Sequence, residues 1–402
     1  MRVYQVNVVC GSGSTGKIAV DLAEAIQLQG GESRIAYGRG NASKEIDSFK
    51  ISNKPDLYIH AMLTRITDKH GLYSRKATIR LIKDIEEYNP DIIHLHNIHG
   101  YYINYEILFR FLEKYGKPIV WTLHDCWPIT GHCAHFDYVG CSRWQKSCYD
   151  CPQKKIYPAS MLKDNSADNF ERKKTAFNLP INMTIVTVSD WLYGIVGQSF
   201  LKNYPLKRIY NGIDLEVMHP IKSSLKTKYY LEDKKIVLGV ASIWDERKGI
   251  DTFYELAKSI STDYQIVMIG LTKKQLQKKP KNILGIERIN SQKELARWYA
   301  AADIYVNTSV EETMGMTTVE AMGCGTPVIV MNTTGSPELV DGKCGRSVEP
   351  GNIMQLLQTI KELENMKNKK EYCLECANNF EKSRQYAQYI ELYKQLIEGK
   401  NG

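Results

Sequence analysis

The sequence predicts an α/β protein made of two doubly wound, Rossmann-like domains, each built on a parallel β-sheet, that face a cleft. Short apolar segments alternate with amphipathic helical segments, as they do in βαβ units. The alternation forms two successive series, and a length of 402 residues suits two or three domains. We expect residues 1–203 to form the first domain and residues 204–380 the second. The amphipathic segment 381–402 is expected to pack back on the first domain as a helix.

Each predicted strand is a short, almost unbroken apolar run, which is typical of parallel strands buried on both faces. In the first half the predicted strands are 2–9, 91–96, 118–123 and 184–188, and the predicted helices are 17–29, 74–88 and 104–115. In the second half the predicted strands are 236–241, 265–269, 303–306 and 327–330, and the predicted helices are 249–260, 292–301 and 316–323. Ligands of such sheets gather at the carboxyl ends of the strands, so functional residues are expected there.

Composition and charge exclude several classes of protein. Hydrophobic residues make up 43% and charged residues 24%, which is ordinary for a globular protein. No apolar run approaches the ~18 residues of a membrane-spanning helix, and the first residues lack the pattern of a signal peptide. We therefore expect a cytoplasmic protein whose ten cysteines are reduced. The net charge of +8 favours anionic ligands or an anionic membrane surface, and with no recognisable nucleic-acid module we expect no nucleic-acid partner.

A glycine-rich segment from Gly11 to Lys17 follows the first predicted strand and satisfies the pattern G-x-x-x-x-G-K. A P-loop next requires Ser or Thr to hold magnesium, and the residue here is Ile18, which argues against a nucleoside triphosphatase. Free N–H groups at the start of a helix would instead favour an anion or sugar hydroxyls. The alternative is a tight strand-to-helix turn that binds nothing.

Two carboxylates, Glu312 and Glu320, lie eight residues apart at the start of a predicted helix and inside it. At ~1.5 Å per residue they are separated by up to about 12 Å along the axis, which exceeds the ~5.5 Å or ~6.5–9.5 Å of glycosidase pairs. The spacing better suits the two ends of one extended ligand. The alternative is a pair of solvated helix carboxylates.

Five segments, in order along the chain, resemble glycosyltransferase family 4, which has the GT-B fold. The most specific contains Glu312 and Glu320 and continues as Ala-Met-Gly-Cys-Gly-Thr-Pro-Val at 321–328. The other four are Thr122-Leu-His124-Asp125, Ile209–Asp214, Arg247-Lys248-Gly249 and Gly335–Glu338. Each motif alone is weak, but the ordered set covers nearly the whole chain.

The resemblance implies a retaining glycosyltransferase that needs no catalytic metal and takes its sugar from a nucleoside diphosphate donor. The residues with implied roles are Glu320 on the ribose hydroxyls, Glu312 facing the donor sugar, Gly315 and Met316 as backbone N–H donors, Arg247 and Lys248 on the diphosphate, His124 beside the reacting carbon, and Gly13 and Gly16 on the acceptor side. A fixed cation and a helix N-terminus stabilise the negative charge that develops on a departing phosphate.

The resemblance also implies an acceptor that is a glycan or a lipid-linked glycan. The expected setting is the assembly of a surface polysaccharide, capsule or lipopolysaccharide, at the inner face of the cell membrane. Residues 65–83 carry several Lys and Arg residues interleaved with apolar ones. This segment is either a solvated helix face or a peripheral contact with anionic lipid.

Three positions depart from the family pattern. Ser242 stands six residues before Lys248, where Arg is frequent, so Arg247 is the nearest cation to replace it. Met314 replaces a commoner Phe, and Thr334 stands where Gly is usual. Ser242 is the one feature that favours an alternative function, a non-catalytic sugar-nucleotide or glycan-binding module of the same fold. A GT-B phosphorylase or a hydrolase is a second alternative, but no motif supports the pyridoxal phosphate that such a phosphorylase needs.

Four cysteines, Cys133, Cys141, Cys148 and Cys151, fall in a segment without periodicity, which predicts a loop. In a reducing compartment the terminal C-x2-C suggests a structural zinc, although the full spacing departs from that of common zinc sites. An iron–sulfur cluster and unligated thiols are the alternatives. By contrast, we expect Cys373 and Cys376 to be ordinary residues of a helix.

Three histidines, His94, His96 and His99, lie at or just after the end of the strand predicted at 91–96. His94 and His96 share one face of that strand. They are expected to line the cleft or to be hydrogen-bonded core residues, and metal binding is the least favoured interpretation.

Overall fold

The computed structural model describes residues 1–399, which form two compact units. One unit comprises Met1–Tyr210 together with the C-terminal helix from Gln385, and the other comprises Asn211–Arg384. Each unit has one parallel sheet flanked by helices, which confirms the predicted fold class. Among residues 1–399, no helix is both long enough and apolar enough to cross a membrane.

The first unit contains a seven-stranded parallel sheet in the order β3-β2-β1-β4-β5-β6-β7. Its strands are β1 (Arg2–Val9), β2 (Glu32–Arg39), β3 (Ser48–Lys50), β4 (Ile92–Leu95), β5 (Ile119–Leu123), β6 (Met183–Thr187) and β7 (Leu206–Arg208). Its helices are α1 (Gly13–Leu28), α2 (Lys54–Thr67), α3 (Arg75–Tyr88), α4 (Tyr105–Tyr115), α5 (Ser166–Phe177) and α6 (Asp190–Val196). The strand order reverses between β1 and β4, and such a reversal opens a crevice at the carboxyl ends of the strands.

Side chains of the strands and of helices α1 and α14 form one hydrophobic cluster in the core of this unit. Ile92 of β4 and Val120 of β5 pack against Leu22 of α1. The last helix, α14 (Lys382–Ile397), adds Tyr386, Tyr389 and Tyr393 to the same cluster. The Tyr393 hydroxyl also makes a 2.6 Å hydrogen bond with Nδ1 of His94.

The second unit contains a six-stranded parallel sheet in the order β10-β9-β8-β11-β12-β13, which reverses between β8 and β11. Its strands are β8 (Lys235–Val240), β9 (Tyr264–Ile269), β10 (Ile283–Ile286), β11 (Ile304–Asn307), β12 (Val328–Met331) and β13 (Gly345–Val348). Its helices are α7 (Leu225–Lys228), α8 (Ile250–Ser259), α9 (Lys273–Lys278), α10 (Gln292–Ala301), α11 (Met316–Gly323), α12 (Ile353–Glu364) and α13 (Lys369–Asn378). Phe253 of α8 and Ile360 of α12 pack into the core beside Val237 and Ile329 of the sheet.

Two predicted segments differ from the observed elements. Helix α1 begins at Gly13, four residues earlier than predicted, so much of the Gly/Ser loop is the first turn of the helix. The basic segment 65–83 is divided between the end of α2 and most of α3, so it does not form a single helix face.

Candidate functional site: the carboxyl ends of the two sheets

In the second unit, the loop after β8 is fixed to the segment after β11. Gly249 ends this loop with a φ of 69° and precedes α8, and a Cβ atom there would lie 2.2 Å from the carbonyl oxygen of Thr308. Only glycine fits such a position without strain. The Thr308 hydroxyl donates to the carbonyl of Lys248 (2.8 Å), and the N–H of Val310 donates to the carbonyl of Arg247 (2.9 Å). The two cationic residues are therefore held at the start of α8.

Lys248 forms an ion pair with Glu312, and its ammonium donates a hydrogen bond to Oε1 of that carboxylate. The side chains are only 18% and 13% exposed. Burial would raise the pKa of Glu312, but the charges of Lys248 and Arg247 outweigh burial and hold this pKa below its ordinary value. The guanidinium of Arg247 donates to the carbonyl of Glu311 (2.9 Å). The structure thus brings together Arg247 and Lys248 of one predicted motif and Glu312 of another.

The loop after β12 braces Glu312 through its backbone. The N–H of Glu312 donates to the hydroxyl of Thr334 (3.0 Å), and the N–H of Gly335 donates to the carbonyl of Glu312 (3.0 Å). A Cβ on Gly335 would lie 2.4 Å from the carbonyl of Thr313, so glycine is needed there as well. Thr334, a departure from the family pattern, therefore holds the position of Glu312.

Helix α11 carries the second predicted carboxylate. Gly315, with a φ of 79°, precedes the first helical residue, Met316. Glu320 lies one turn further on, and its Oε2 accepts a 2.9 Å hydrogen bond from the buried hydroxyl of Tyr299. This bond fixes the direction of the carboxylate, a contact that the sequence did not indicate. Ser242 is exposed, whereas the neighbouring cation Arg247 is half-buried.

In the first unit, His124 directly follows β5 and belongs to a chain of hydrogen bonds. Its Nε2 lies 3.2 Å from Nδ1 of His96, and Nε2 of His96 lies 3.0 Å from Oε1 of Gln5. The rings of His124 and His96 are stacked with centroids 5.5 Å apart. Burial lowers the pKa of His124 to about 4, despite the nearby charge of Asp125. His124 is therefore a neutral imidazole near neutral pH.

A second polar chain, which sequence reasoning missed, runs beside His124. Oδ2 of Asp125 lies 2.8 Å from Nε2 of His99, and Nδ1 of His99 lies 2.9 Å from the hydroxyl of Tyr157. Burial opposes ionisation of Asp125, but His99 and the N–H of Trp127 lower its pKa to about 2. His99 therefore lies beside the predicted site, whereas His94 is a core histidine bonded to a threonine and a tyrosine.

The glycine-rich turn at the start of α1 is closed by a 3.0 Å hydrogen bond from the N–H of Gly11 to the carbonyl of Gly16. Gly16 is buried, and a Cβ atom there would lie 3.0 Å from the side chain of Val9. Gly13 is exposed, has a φ of 65° and is the first residue of the helix. Gly16 thus serves the packing of the turn, and Gly13 is the more accessible of the two predicted acceptor-side glycines.

Sequence profiles of known protein families match both halves of the chain. The sequence profile described as Glycosyltransferase Family 4 matches residues 15–217, more than half of the chain. The chain belongs to glycosyltransferase family 4. A second profile, described as Glycosyl transferases group 1, matches residues 234–365 and includes the Lys248–Glu312 cluster. The protein is therefore a glycosyltransferase.

Individual relatives agree with this family assignment. WcaC of Escherichia coli (strain K12), whose name assigns it to colanic acid biosynthesis as a glycosyl transferase, is 26% identical over 90% of both chains. Sucrose-phosphate synthase from Thermosynechococcus elongatus superposes with a TM-score of 0.73 over 99% of both chains, at 15% identity. Anabaena Alr3699/HepE, solved in complex with UDP-glucose, has a TM-score of 0.66 over 98% of this chain and 100% of its own, at 16% identity. These likenesses identify the fold as GT-B.

In this family member, the four-cysteine segment contains two short 3-10 turns, Asp137–Val139 and Arg143–Gln145. All four predicted zinc ligands line one cavity of ≈ 10 Å³ together with His132. Within residues 1–399, however, no three of these ligand atoms lie within 4.8 Å of one another. The zinc prediction is therefore not supported by a preformed ligand cluster.

A different cysteine group, which includes Cys376 of α13, is compact. Asp341, Cys344 and Cys376 place their potential ligand atoms within 4.8 Å of one another, and the thiol of Cys373 donates to the carbonyl of Cys344 (3.5 Å). Neighbouring Cys344 and burial raise the pKa of Cys376, and burial raises that of Cys373. Cys373 and Cys376 are therefore neutral thiols, and they pack α13 against the turn before β13.

Proposed function

We propose that this glycosyltransferase transfers a sugar, with retention of its anomeric configuration, from a nucleoside diphosphate donor to a glycan or lipid-linked acceptor. One observation carries the proposal. Lys248 and Arg247 at the start of α8 flank Glu312, and Glu320 lies one helical turn into α11. This arrangement offers cations for a diphosphate and separate carboxylates for a sugar and a ribose, which are the parts of one extended donor.

Charge complementarity supports the placement of the diphosphate. The leaving group gains negative charge as its bond to the sugar breaks, and Arg247, Lys248 and the N-terminus of α8 are fixed where they would stabilise that charge. We propose that these groups do the work that a catalytic metal does in other transferases. Addition of EDTA would then leave donor binding and turnover unchanged.

The first unit supplies the proposed contact with the transferred sugar. A neutral His124, oriented by His96, can hydrogen-bond a sugar hydroxyl without placing a second positive charge beside the reacting carbon. We place the acceptor near the start of α1, where Gly13 leaves the backbone accessible. Analysis of the product anomer by NMR spectroscopy tests retention directly, since an inverted product would contradict it.

The setting proposed is the assembly of a surface polysaccharide. Support comes from WcaC, which matches the chain over 90% of its length and is named for colanic acid biosynthesis. A lipid-linked acceptor would bring the enzyme to a membrane surface. The rival function, a non-catalytic binding module, is less favoured because the Lys248–Glu312 pair and Glu320 are all in place despite Ser242.

A thermal-shift screen against UDP, GDP, ADP, CMP and dTDP, with and without EDTA, tests the donor site. A nucleotide at 100 times its Kd should stabilise the protein by ~2.7 kcal/mol. The variant Glu320→Gln should weaken binding roughly tenfold or more, because charge-assisted hydrogen bonds are worth ~1.5–3 kcal/mol. Glu362→Gln, an exposed carboxylate on α12, is the matched control and should bind as the wild type does. If no nucleotide shifts the wild type, the donor assignment fails.

Zinc in the four-cysteine segment remains a proposal. Its support is the convergence of four thiols and the buried imidazole of His132 on one small cavity. Asp68 accepts a 2.5 Å hydrogen bond from Nδ1 of His132, as carboxylates behind zinc-binding histidines do. The measurement is the zinc content of the purified protein, which should fall in Cys148→Ser but not in Cys10→Ser, a buried thiol elsewhere. A metal-free wild type would reject this site.

A further inference from the structure

Helix α2 presents its faces in the reverse of the usual order. The residues that it buries are polar, His60 and Thr64. His60 is satisfied there, since its Nδ1 lies 2.7 Å from the Ser74 hydroxyl and its Nε2 accepts the N–H of Gly71 (3.1 Å). A helix on the surface of a soluble domain ordinarily buries its apolar stripe and exposes its polar face. Its outward face therefore requires an explanation other than core packing.

The outward face of α2 is an apolar stripe. Tyr58 is 75% exposed, and Ile59, Met62 and Ile66 are between 42% and 54% exposed. Positions 59, 62 and 66 follow the i, i+3, i+7 spacing, so their side chains lie along one side of the helix. This stripe runs along the helix axis, and no other element among the residues that the structure describes covers it.

A neighbouring loop extends the apolar surface. The N–H of Met161 donates to the carbonyl of Arg65 (2.7 Å), which fixes the loop against the last turns of α2. Met161 and Leu162 are 74% and 70% exposed, and Ile156 in the same loop is 56% exposed. We call the α2 surface the set of seven exposed apolar residues Tyr58, Ile59, Met62, Ile66, Ile156, Met161 and Leu162.

Basic side chains border the α2 surface. The exposed cations of these two segments are Lys54, Arg65, Lys155 and Lys163. The acidic residues of the same segments have partners: Asp56 pairs with Arg80 (3.8 Å), Asp68 is buried against His132, and Asp164 bonds to Ser166. The four exposed cations outnumber the exposed carboxylate of Asp164, so the border has a net positive charge and fits an anionic surface rather than a neutral one.

We propose that the α2 surface inserts into the headgroup region of an anionic lipid bilayer and docks the first unit there. Exposed apolar side chains flanked by Lys and Arg are the pattern of interfacial helices, which combine apolar burial with attraction to anionic lipid. The α2 surface would then contact the membrane that holds a lipid-linked acceptor, and in this respect the inference rests on the proposed function. It also relocates the basic contact from the segment 65–83 to α2 and the loop beside it.

Co-sedimentation of the full chain with vesicles tests this surface. We expect binding to phosphatidylcholine vesicles that contain phosphatidylglycerol, weaker binding to phosphatidylcholine alone, and weakening by salt. The triple variant Ile59→Ser, Met62→Ser and Leu162→Ser should lower the partition coefficient at least ~10-fold, because it removes much of the inserted apolar area. Reversal of charge at Arg65, Lys155 and Lys163 to Glu should abolish the preference for phosphatidylglycerol.

Matched controls distinguish binding through the α2 surface from nonspecific binding through other exposed apolar side chains. Ile181→Ser, Tyr230→Ser and Met354→Ser remove apolar side chains that are more exposed than those of the triple variant but lie outside the α2 surface, and they should leave vesicle binding unchanged. Equal binding by the wild type and the α2 variant would overturn the proposal. So would a wild-type dimer that the α2 variant converts to a monomer, since the surface would then bind a second copy. The nucleotide shift is measured on the same variants, so failure of membrane docking and failure of donor binding are distinguished.

Discussion

At the scale of single residues, Lys248 pairs with Glu312, and we propose that it also stabilises the diphosphate of the donor. Replacing Lys248 by Met should lower kcat by about 10²–10³, the range seen when one preorganised stabilising donor is removed. Affinity for the nucleotide should fall less, because Arg247 and the N-terminus of α8 remain. Donor turnover and the thermal shift by nucleotide measure the two effects separately.

The control for this variant is Lys258→Met, which removes an exposed lysine on α8 that pairs with Glu255 three residues away. It should leave kcat within error of the wild type, since exposed pairs of this kind contribute little. A Lys248→Met enzyme with unchanged kcat would show that the leaving group is stabilised elsewhere.

The sequence named candidate residues but not their partners. Glu312, Glu320 and Lys248 were predicted through the family resemblance, and their roles toward the donor remain predictions. The hydrogen bonds from Tyr299 to Glu320 and from Glu312 to Thr334 join segments 21 and 22 residues apart. Nothing in spacing or composition encodes such bonds, because the first depends on how helices α10 and α11 pack and the second on how two loops meet at the end of a sheet.

At the scale of elements, the proposed donor site depends on the turn that starts α8. Gly249→Ala would force a Cβ against the carbonyl of Thr308 and hold alanine at a φ of 69°. We expect a loss of ~1–3 kcal/mol of stability, together with a weaker nucleotide shift as the Thr308–Lys248 bond is broken. Gly194→Ala is the control, since no atom lies within 4 Å of the new methyl inside α6.

Gly194→Ala should leave the free energy of unfolding unchanged or raise it by up to ~1 kcal/mol, because alanine is a better helix former than glycine. Thermal unfolding with and without nucleotide measures both variants. A Gly249→Ala protein that retained full stability and the full nucleotide shift would mean that the loop can relax. Nucleotide binding would then not require Lys248 and Arg247 to be held in fixed positions.

The elements that sequence predicted best were the buried ones. Strands such as β5 and β6, buried along their whole length, appear as plain apolar runs. Helix α2 was not predicted, because its apolar residues face outward and its buried face carries His60 and Thr64. The short strands β3 and β7 have only three residues each and are too brief for any period to be visible.

The cysteines show a related limit. Their spacing predicted a metal site at the four cysteines between 133 and 151. The compact group instead joins Cys344 to Cys376, which lies 32 residues further along the chain. Sequence spacing predicts a metal site only when its ligands are local. Here the turn before β13 and helix α13 bring distant thiols together through packing.

At the scale of the whole molecule, buried neutral histidines make stability depend on pH. Burial lowers the pKa of His60 to about 3, and it also lowers those of His70, His94 and His96. In the unfolded chain these groups bind protons below about 6.5. The unfolded state therefore binds more protons than the folded state between about 6.5 and about 3, so the free energy of unfolding falls as pH falls through this range.

His60 allows this dependence to be tested at one site. Each pH unit below about 6.5 should cost up to ~1.4 kcal/mol at His60 in the wild type, and His60→Gln should remove that share of the slope. The measurement is urea unfolding at about pH 7 and about pH 5, with exposed His219→Gln as the control. His60→Gln loses some stability at both pH values, because glutamine cannot satisfy Ser74 and Gly71 equally well, but the difference between them should shrink. An unchanged difference would mean that His60 is protonated in the folded protein, and the polar buried face of α2 would then carry a charge that its neighbours must accommodate.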